Sequence, residues 1–330
     1  MILTKTPFRI SFLGGGTDFP SFYNKHGGMC LSATINKYSY VYLRGIDGIL
    51  GPKNEFIYSQ IERVTDLNLI NHPIIREALK FKKVEGVRID YDADISARTG
   101  LGTSSAFSVG LIGALNSYLG FEFDKYRIAK EAIYLERVLC KEIGGVQDQI
   151  ASCYGGINKI TLNTSGFTVQ KVPIELLRMK NLENNLLLFY TGIQRTSSDV
   201  QKTVQISESR VTDVLLAIKK LVQEGINCLE DTSKSLDDFG YLLHEAWQLK
   251  KSISTKISNE RIDCLYQKGI EHGALGGKIL GAGGGGFLLF YVQPVYQDSV
   301  RECFKDLVEV PFYFEDEGTR IIYSNIRPYR

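Results

Sequence analysis

Glycine and hydroxyl residues are concentrated in residues 100–106, GLGTSSA, directly before an apolar segment. A glycine-rich turn that runs into a helix points several backbone N–H groups at one place, and the helix dipole adds partial positive charge there. A phosphate chain fits such a site, and the hydroxyls of Thr103, Ser104 and Ser105 could cap the helix, bond to phosphate or bind Mg²⁺. The segment therefore predicts a phosphate-binding loop, with a plain helix cap as the alternative. It is not a Walker A loop, because no Lys follows the glycines.

Two further glycine clusters lie at residues 14–16 and 281–286. The second cluster, GAGGGG, satisfies the G-x-G-x-x-G spacing of dinucleotide-binding loops. Such a loop must follow a strand and open a helix, whereas here we predict a helix before it and an apolar strand, Phe287–Val292, after it. We therefore reject the dinucleotide interpretation and predict a tight helix-to-strand connection that packs closely on its surroundings.

Three charged residues stand out near the predicted elements: Asp148, which follows two glycines, Glu136 on a predicted helix, and Arg9 at the start of a predicted strand. An ionised carboxylate can accept or orient the proton of an attacking hydroxyl, and a neighbouring cation keeps it ionised. Each residue also has an ordinary explanation when it is taken alone. Asp148 could be a helix N-cap, Glu136 an exposed helix carboxylate, and Arg9 a surface residue of its strand.

Hydrophobic periodicity predicts the elements that must position these residues. An apolar residue at every fourth position from Phe107 to Leu119 predicts one stripe of a long amphipathic helix directly after the phosphate-binding loop. A second helix, at 125–140, carries Glu136. Runs of β-branched and aromatic residues predict strands at 10–13, 38–44 and 87–91.

The second half of the chain mixes the two kinds of pattern. A hairpin is predicted across residues 163–166, and a polar stretch at 180–185 then precedes a buried strand, Leu186–Tyr190. Helices are predicted at 207–224, 234–253 and 260–272, followed by a glycine-rich loop at 276–286. This mixture predicts an α+β fold with two domains that divide near residue 180.

The composition is ordinary for a globular protein, with 44% hydrophobic residues, 23% charged residues and a net charge of +2. This balance gives no global field that would favour nucleic acid or an anionic membrane. The cysteines and histidines form no recognisable metal-binding motif. The N-terminus lacks the apolar segment of a signal peptide, and no apolar run is long enough to span a membrane. We therefore expect a cytoplasmic protein without nucleic-acid or membrane partners.

Three segments, in this order along the chain, resemble the motifs of the GHMP kinase family, which includes galactokinase, homoserine kinase, mevalonate kinase and phosphomevalonate kinase. They are residues 7–19 (PFRISFLGGGTDF), 100–106 (GLGTSSA) and 278–286 (KILGAGGGG). The resemblance spans nearly the whole chain and implies a two-domain fold. A ribosomal protein S5 domain 2-like domain, residues 1–180, would bind the nucleotide, and a ferredoxin-like domain, residues 181–330, would close the substrate cleft.

The resemblance also implies a role for individual residues. Asp148 would be the catalytic base, assisted by Arg9, with ATP and Mg²⁺ as cofactors. ATP would be bound by Gly100, Leu101, Gly102, Thr103, Ser104 and Ser105, and Mg²⁺ by Ser104 and Glu136. The acceptor would be bound by Asp18, Gly15, Gly16, Thr17 and Arg195. The supporting loop would consist of Lys278, Gly281, Gly283 and Gly284.

Residues 14–20 (GGGTDFP) and 190–199 (YTGIQRTSSD) narrow the resemblance to the branch of the family that acts on heptose phosphates and fucose. The implied reaction is transfer from ATP to the anomeric C1 hydroxyl of D-glycero-D-manno-heptose 7-phosphate, for nucleotide-activated heptose synthesis. Gly15 and Gly16 replace a Glu-His pair of the family, which bears on substrate choice. An unphosphorylated sugar as acceptor, or a catalytically silent binding protein, are the alternatives. Whether the protein is a monomer or a homodimer stays open.

Overall fold

The computed structural model describes residues 1–47, 49, 51–96, 99–193 and 209–325, which form two β-sheets and the helices that pack on them. The strands are β1 (Ile2–Leu13), β2 (Gly28–Gly45), β3 (Asn54–Ile57), β4 (Ile61–Val64), β5 (Val87–Ala93), β6 (Ile157–Asn163), β7 (Gly166–Lys171), β8 (Leu186–Tyr190), β9 (Ala274–Ile279), β10 (Phe287–Val292), β11 (Val308–Glu309) and β12 (Arg320–Ser324). The α-helices are α1 (Pro20–His26), α2 (Pro73–Lys82), α3 (Thr103–Tyr118), α4 (Lys125–Tyr134), α5 (Gln147–Tyr154), α6 (Leu176–Asn184), α7 (Ser209–Glu230), α8 (Asp237–Ile253), α9 (Glu260–Glu271) and α10 (Pro294–Cys303). A π-helical turn, Leu135–Leu139, directly follows α4.

The larger sheet has the order β12-β1-β2-β5-β3-β4, with the β6–β7 hairpin attached to β2. The long strand β2 pairs with β6 through residues 28–33 and with β5 through residues 39–45, so its two halves have different neighbours. β1 runs antiparallel to β2 and places Arg9 opposite Thr34. Arg9 therefore lies inside the sheet, with only 3% of its surface exposed, rather than on a solvated strand.

Helix α3 crosses the larger sheet and is buried on nearly all sides, from Ser105 to Asn116 without a break. The prediction of a single apolar stripe is therefore wrong, because strands β1 and β2 and helices α4 and α5 surround this helix. Small residues allow the close approach: a Cβ on Gly110 would lie only 2.9 Å from the Thr6 hydroxyl on β1. The buried position holds the N-terminus of α3 firmly.

The smaller sheet has the antiparallel order β11-β8-β10-β9, and helices α8 and α9 pack on β9. One hydrophobic cluster joins this sheet to the larger one. It includes Phe12 and Leu101 from the first half of the chain and Leu188, Phe239 and Leu289 from the second half. The two sheets therefore share a core instead of standing apart on a linker.

The glycine-rich connection at 280–286 joins two antiparallel strands, β9 and β10. The predicted helix-to-strand connection is thus wrong, because residues 276–279, assigned to the loop, belong to β9. Gly276 and Gly277 make this segment look unlike a strand in the sequence, because glycine is uncommon inside strands. Both lie against neighbouring backbone that leaves no room for a side chain: a Cβ on Gly276 would meet the Gly240 carbonyl at 2.0 Å. Strands β8 and β10 have the predicted bounds.

The end of the described chain returns to the larger sheet, where β12 pairs with β1. The division into domains at residues 1–180 and 181–330 stays a prediction, since the strand at 320–324 lies beside the N-terminal strand. Among the described helices, none is long and apolar enough to cross a membrane.

Candidate active site

The phosphate-binding loop predicted at 100–106 leads into α3 through two glycines in the left-handed region, Gly100 with φ +89° and Gly102 with φ +72°. Gly102 is the N-cap of α3, and it brings no side chain that could cap the helix. Leu101, Thr103 and Ser105 are buried, whereas the side chain of Ser104 is exposed. The first amides of α3 thus remain available to an anion, as a phosphate site requires.

Residues 281–286 support this loop through direct backbone contact. A Cβ on Gly281 would lie 2.7 Å from Gly100 Cα, and the Phe287 N–H donates to the Thr99 carbonyl at 3.1 Å. Gly284 donates its N–H to the Ile257 carbonyl at 2.6 Å, and a Cβ on Gly283 would lie 2.5 Å from the same oxygen. A larger residue at position 281 would separate the two loops, and one at position 283 would clash with Ile257, which explains why glycine occupies these positions.

Arg9 and Asp148 form a two-pronged ion pair beside this loop. Arg9 Nε and Nη2 donate to Oδ1 and Oδ2 of Asp148 at 2.8 and 2.6 Å, and Arg9 Nη1 donates to the Gly100 carbonyl at 2.6 Å. Burial raises the pKa of Asp148, but the charge and hydrogen bonds of Arg9 outweigh it and hold this pKa below its usual value. Asp148 lies in the first turn of α5 with 29% of its side chain exposed, so an ionised carboxylate can meet a ligand there.

Asp18 lies close to Asp148 on the same side of the site. Its Oδ1 accepts the Gly16 N–H at 3.0 Å, and its Oδ2 accepts the Gln147 N–H at 3.1 Å. Burial and the negative charge of Asp148 raise the pKa of Asp18. The two carboxylates therefore interact electrostatically. The backbone N–H that Asp18 accepts belongs to Gln147, the residue directly before Asp148.

The remaining residues predicted for acceptor binding differ in burial and in their contacts. A Cβ on Gly15 would make an ordinary contact with the Ser11 hydroxyl at 3.7 Å and would meet no closer atom. Thr17 is fully buried, and its hydroxyl lies 2.8 Å from the carbonyl oxygens of Gly14 and Met29, so it holds the loop together. Arg195 lies outside the described residues, and its predicted contact with the acceptor stays a prediction.

Glu136 is buried in the π-helical turn, with 1% of its surface exposed. Its Oε2 accepts the Ser105 hydroxyl at 3.2 Å and lies 3.4 Å from Arg137 Nη2, whereas its Oε1 has no hydrogen-bond partner among the described residues. Burial raises the pKa of Glu136 to about 7. A buried carboxylate oxygen without a partner suits a cation, and the adjacent hydroxyl belongs to Ser105 rather than to Ser104.

Two residues near Asp148 were missed in the sequence. Arg137 bonds through Nε to the Gly145 carbonyl at 3.1 Å and through Nη1 to the Glu142 carbonyl at 3.3 Å, so it ties Glu136 to the turn that precedes Asp148. A Cβ on Gly145 would lie 1.9 Å from Asp18 Oδ2. In the sequence, Arg137 was marked only by its position next to Glu136, and Gly145 only by belonging to a Gly-Gly pair. Neither signal identifies the residue that each of them contacts in the fold.

Comparisons with known proteins fit this arrangement. Residues 68–156 match the family description "GHMP kinases N terminal domain", and residues 218–309 match "GHMP kinases C terminal". The chain is 32% identical to D-glycero-alpha-D-manno-heptose 7-phosphate kinase of Campylobacter jejuni over 97% of its own length and 98% of the relative. The chain belongs to the GHMP kinase family. It is therefore an ATP-dependent phosphotransferase with an alcohol group as acceptor, and the predicted fold is confirmed.

Other GHMP kinases show how broad this similarity is. L-fucokinase/L-fucose-1-P guanylyltransferase of Bacteroides fragilis is 26% identical to this chain. The match covers 90% of this chain but 35% of that longer relative. A structure of a sugar kinase from Campylobacter jejuni, described as putative in its own name, has a TM-score of 0.76 at 27% identity and covers 97% of both chains. A D-glycero-D-manno-heptose 1-phosphate kinase structure from Bacteroides thetaiotaomicron shares the fold, with a TM-score of 0.79 at 23% identity, and covers 98% of this chain and 100% of that chain.

The Gly145→Ala variant is expected to raise the KM for the acceptor at least about tenfold. The added methyl group cannot coexist with Asp18 at its present position, so this carboxylate must move. Affinity for ATP should stay within about twofold, because the added methyl group displaces Asp18, which is proposed to bind the acceptor and not the nucleotide. Steady-state kinetics with both substrates varied would measure this, and Gly51→Ala, where a Cβ meets nothing within 4 Å, is the control. An unchanged acceptor KM would contradict the predicted role of Asp18.

Proposed function

We propose that this GHMP kinase transfers the γ-phosphate of ATP to the anomeric C1 hydroxyl of D-glycero-D-manno-heptose 7-phosphate, giving the 1,7-bisphosphate. The observation that carries the proposal is the Arg9–Asp148 pair, which touches the phosphate-binding loop at Gly100 and lies close to Asp18. The similarity to a heptose 7-phosphate kinase over nearly the whole chain supports this choice of substrate. The product would enter the synthesis of nucleotide-activated heptose for capsule or lipopolysaccharide.

The side chains divide the work of phosphoryl transfer between them. Asp148, kept ionised by Arg9, orients the sugar hydroxyl and accepts its proton as the oxygen attacks phosphorus. Arg9 adds positive charge close to the transferring group. Asp18 accepts hydrogen bonds from further hydroxyls of the sugar, which fixes the acceptor relative to Asp148.

The nucleotide lies on the 100–106 loop, with its phosphates at the N-terminus of α3. In this proposal residues 1–180 bind the nucleotide and residues 181–330 close the cleft. Ser104 and Glu136 would hold Mg²⁺, which would neutralise phosphate charge there. The buried Glu136 oxygen without a partner supports this site. Among the described residues there is no cluster of three or more His, Cys, Asp or Glu side chains, and Mg²⁺ usually takes few protein ligands beside phosphate and water.

Arg195 is proposed to bind the phosphate that the acceptor already carries, because a guanidinium can bind phosphate through two parallel hydrogen bonds. The Arg195→Ala variant is then expected to raise the KM for the heptose 7-phosphate at least about tenfold, without a change for an unphosphorylated sugar. Kinetics with the two acceptors side by side would measure the difference. Arg63→Ala, which removes an exposed guanidinium on β4, is the control. Equal effects on both acceptors would speak against phosphate capture.

A kinase of an unphosphorylated sugar is the second candidate, favoured by the similarity to a fucokinase. A coupled assay of ADP release across sugar phosphates and free sugars, with ³¹P NMR of the product, separates the two candidates. Turnover with heptose 7-phosphate and a new anomeric phosphate signal would support the proposal. Turnover with free sugars alone would overturn it, and ATP binding without any turnover would favour a silent binding protein. We expect the enzyme to act in the cytoplasm on small molecules, as a monomer or homodimer.

A further inference from the structure

Lys250 occupies an unusual position on α8. The buried residues Leu243, Ala246 and Trp247 define the face of this helix that packs on β9, and Lys250 lies one turn further along the same face. A lysine in such a position can pack its apolar stem along the stripe while its ammonium reaches polar groups beyond the end of the stripe. Its half-buried side chain reaches along the helix to the glycine-rich loop between β9 and β10.

The ammonium of Lys250 meets this loop at the point where it touches the phosphate-binding loop. Lys250 Nζ donates to the Gly281 carbonyl at 2.5 Å. Gly281 is the residue in backbone contact with Gly100, and the Gly100 carbonyl accepts the hydrogen bond from Arg9 Nη1. Lys250 and Arg9 therefore approach the same backbone junction, one from the second half of the chain and the other from the first strand.

A third basic side chain lies beside these two. Lys278 is 4% exposed, and its Nζ donates to the Phe12 carbonyl at 2.7 Å. Burial lowers the pKa of Lys278 well below its usual value, and the positive charges of Lys250 and Arg9 lower it further, so both of these groups lie near Lys278. The charges of Arg9 and Lys250, brought together from β1 and α8, suit a site that receives a multiply charged anion.

We propose that Lys250 is a further catalytic residue, whose ammonium contacts the terminal phosphate of ATP and neutralises charge on the phosphoryl group during transfer. The inference rests on the proposed function, because it takes the 100–106 loop as the nucleotide site. The bond from the γ-phosphorus to the ADP oxygen breaks, and a bond to the acceptor oxygen forms. The acceptor proton goes to Asp148, while Lys250 takes no part in the proton transfer and supplies only charge and a hydrogen bond.

Lys250 could instead have only a structural role, as the hydrogen-bond donor that holds the Gly281 carbonyl in place. The two roles predict different effects of removing its charge. Lys250→Gln keeps an N–H donor for this carbonyl but removes the charge, so it separates the two roles. Lys251→Gln is the matched control, because the neighbouring ammonium pairs with Asp263 at 3.1 Å on the surface. Thermal unfolding of each variant shows that the fold is intact before any kinetic comparison is made.

The test measures nucleotide binding by calorimetry without any acceptor, followed by kcat with the acceptor. For Lys250→Gln we expect about a tenfold loss of affinity for AMP-PNP, ADP affinity within about twofold, and a kcat lower by about a hundredfold. Lys251→Gln should match the wild type in all three. Equal losses for ADP and AMP-PNP, or a kcat within about threefold of the wild type, would overturn the inference.

The Lys250→Arg variant provides a second measurement should the Gln variant unfold. It keeps the charge, so it is expected to recover most of the preference for AMP-PNP over ADP, and a loss as large as in the neutral variant would count against Lys250. Because binding is measured without an acceptor, its result does not depend on which sugar is phosphorylated. Absence of turnover by the wild type with every sugar tested would defeat the proposed function and with it the catalytic role, while the binding result would still show whether Lys250 contacts the terminal phosphate.

Discussion

The Asp148→Asn variant is expected to lose about a thousandfold in kcat while it still binds ATP. The amide cannot take the proton of the attacking hydroxyl, and it replaces the carboxylate that Arg9 holds through two hydrogen bonds. ATP binding should survive, because the amides of the 100–106 loop belong to a different element. Single-turnover kinetics and calorimetry with ATP would measure the two quantities separately.

A matched control for this variant exists on β5, where Asp90 accepts Nε and Nη2 of Arg88 at 2.9 Å each. Asp90→Asn breaks an ion pair of the same geometry on β5, a strand that supplies none of the proposed site residues, and its kcat should equal that of the wild type. Arg9 is almost fully buried, and in Asp148→Asn its positive charge faces a neutral amide instead of a carboxylate. We therefore also expect a loss of thermal stability. An Asp148→Asn enzyme with more than about a tenth of the wild-type kcat would exclude Asp148 as the base.

The Glu136→Gln variant is expected to lose most of its activity and yet to be more stable than the wild type above pH 7 in the absence of metal and nucleotide. Its side chain is buried, and one carboxylate oxygen lacks a partner among the described residues, so ionisation is opposed in the free protein. Glutamine has nearly the same shape and no charge to bury. Losing a metal ligand should nevertheless lower kcat by about a hundredfold or more.

The pH dependence of this effect has a defined sign. Burial raises the pKa of Glu136 from its ordinary value of 4.5 to about 7, so the folded protein holds this proton to a higher pH than the unfolded chain does. The contribution of Glu136 to the free energy of unfolding is therefore intact below about pH 4.5 and falls as the pH rises through about 7. The loss amounts to about 3 kcal/mol above pH 8. Glu136→Gln should lack this decline, which urea unfolding at pH 5.5 and 8 would measure.

Glu62 is the comparison carboxylate for this prediction, since it is also buried but fully partnered. The Asn71 N–H and the Tyr58 hydroxyl each donate to it at 2.6 Å. Burial raises the pKa of Glu62, but these hydrogen bonds outweigh it and the net pKa is lowered. Glu62→Gln should therefore destabilise the protein at pH 8, the opposite of Glu136→Gln. Destabilisation of comparable size in both variants would refute the account of Glu136 as an uncompensated charge.

The sequence by itself determined the features that depend on neighbouring residues. The apolar runs that form β8 and β10 predicted both strands at their observed bounds. The glycine turn before α3 predicted a helix N-terminus free for an anion, and the three glycine-rich segments together indicated the family. Turn chemistry and hydrophobic periodicity act over a few residues, so these signals can be read without knowledge of the fold.

The same local signals failed where packing from distant elements overrides them. Helix α3 carries a four-residue apolar period, yet its other faces are also covered, by strands and helices that no window of sequence contains. Residues 276–279 contain two glycines that argue against a strand, but close contact with α8 and β10 requires small residues there. In both places the structure that the local sequence favours is overridden by packing against neighbouring elements.

Only the tertiary structure decided which of the candidate groups meet. Arg9 and Asp148 are 139 residues apart in the chain, and their pairing depends on the register of β1 and the position of α5. The same holds for the hydroxyl beside Glu136, which belongs to Ser105, for the contact of Gly145 with Asp18, and for the approach of Lys250 to Gly281. Such contacts are set by sheet register and helix packing, long-range properties that local residue patterns do not record.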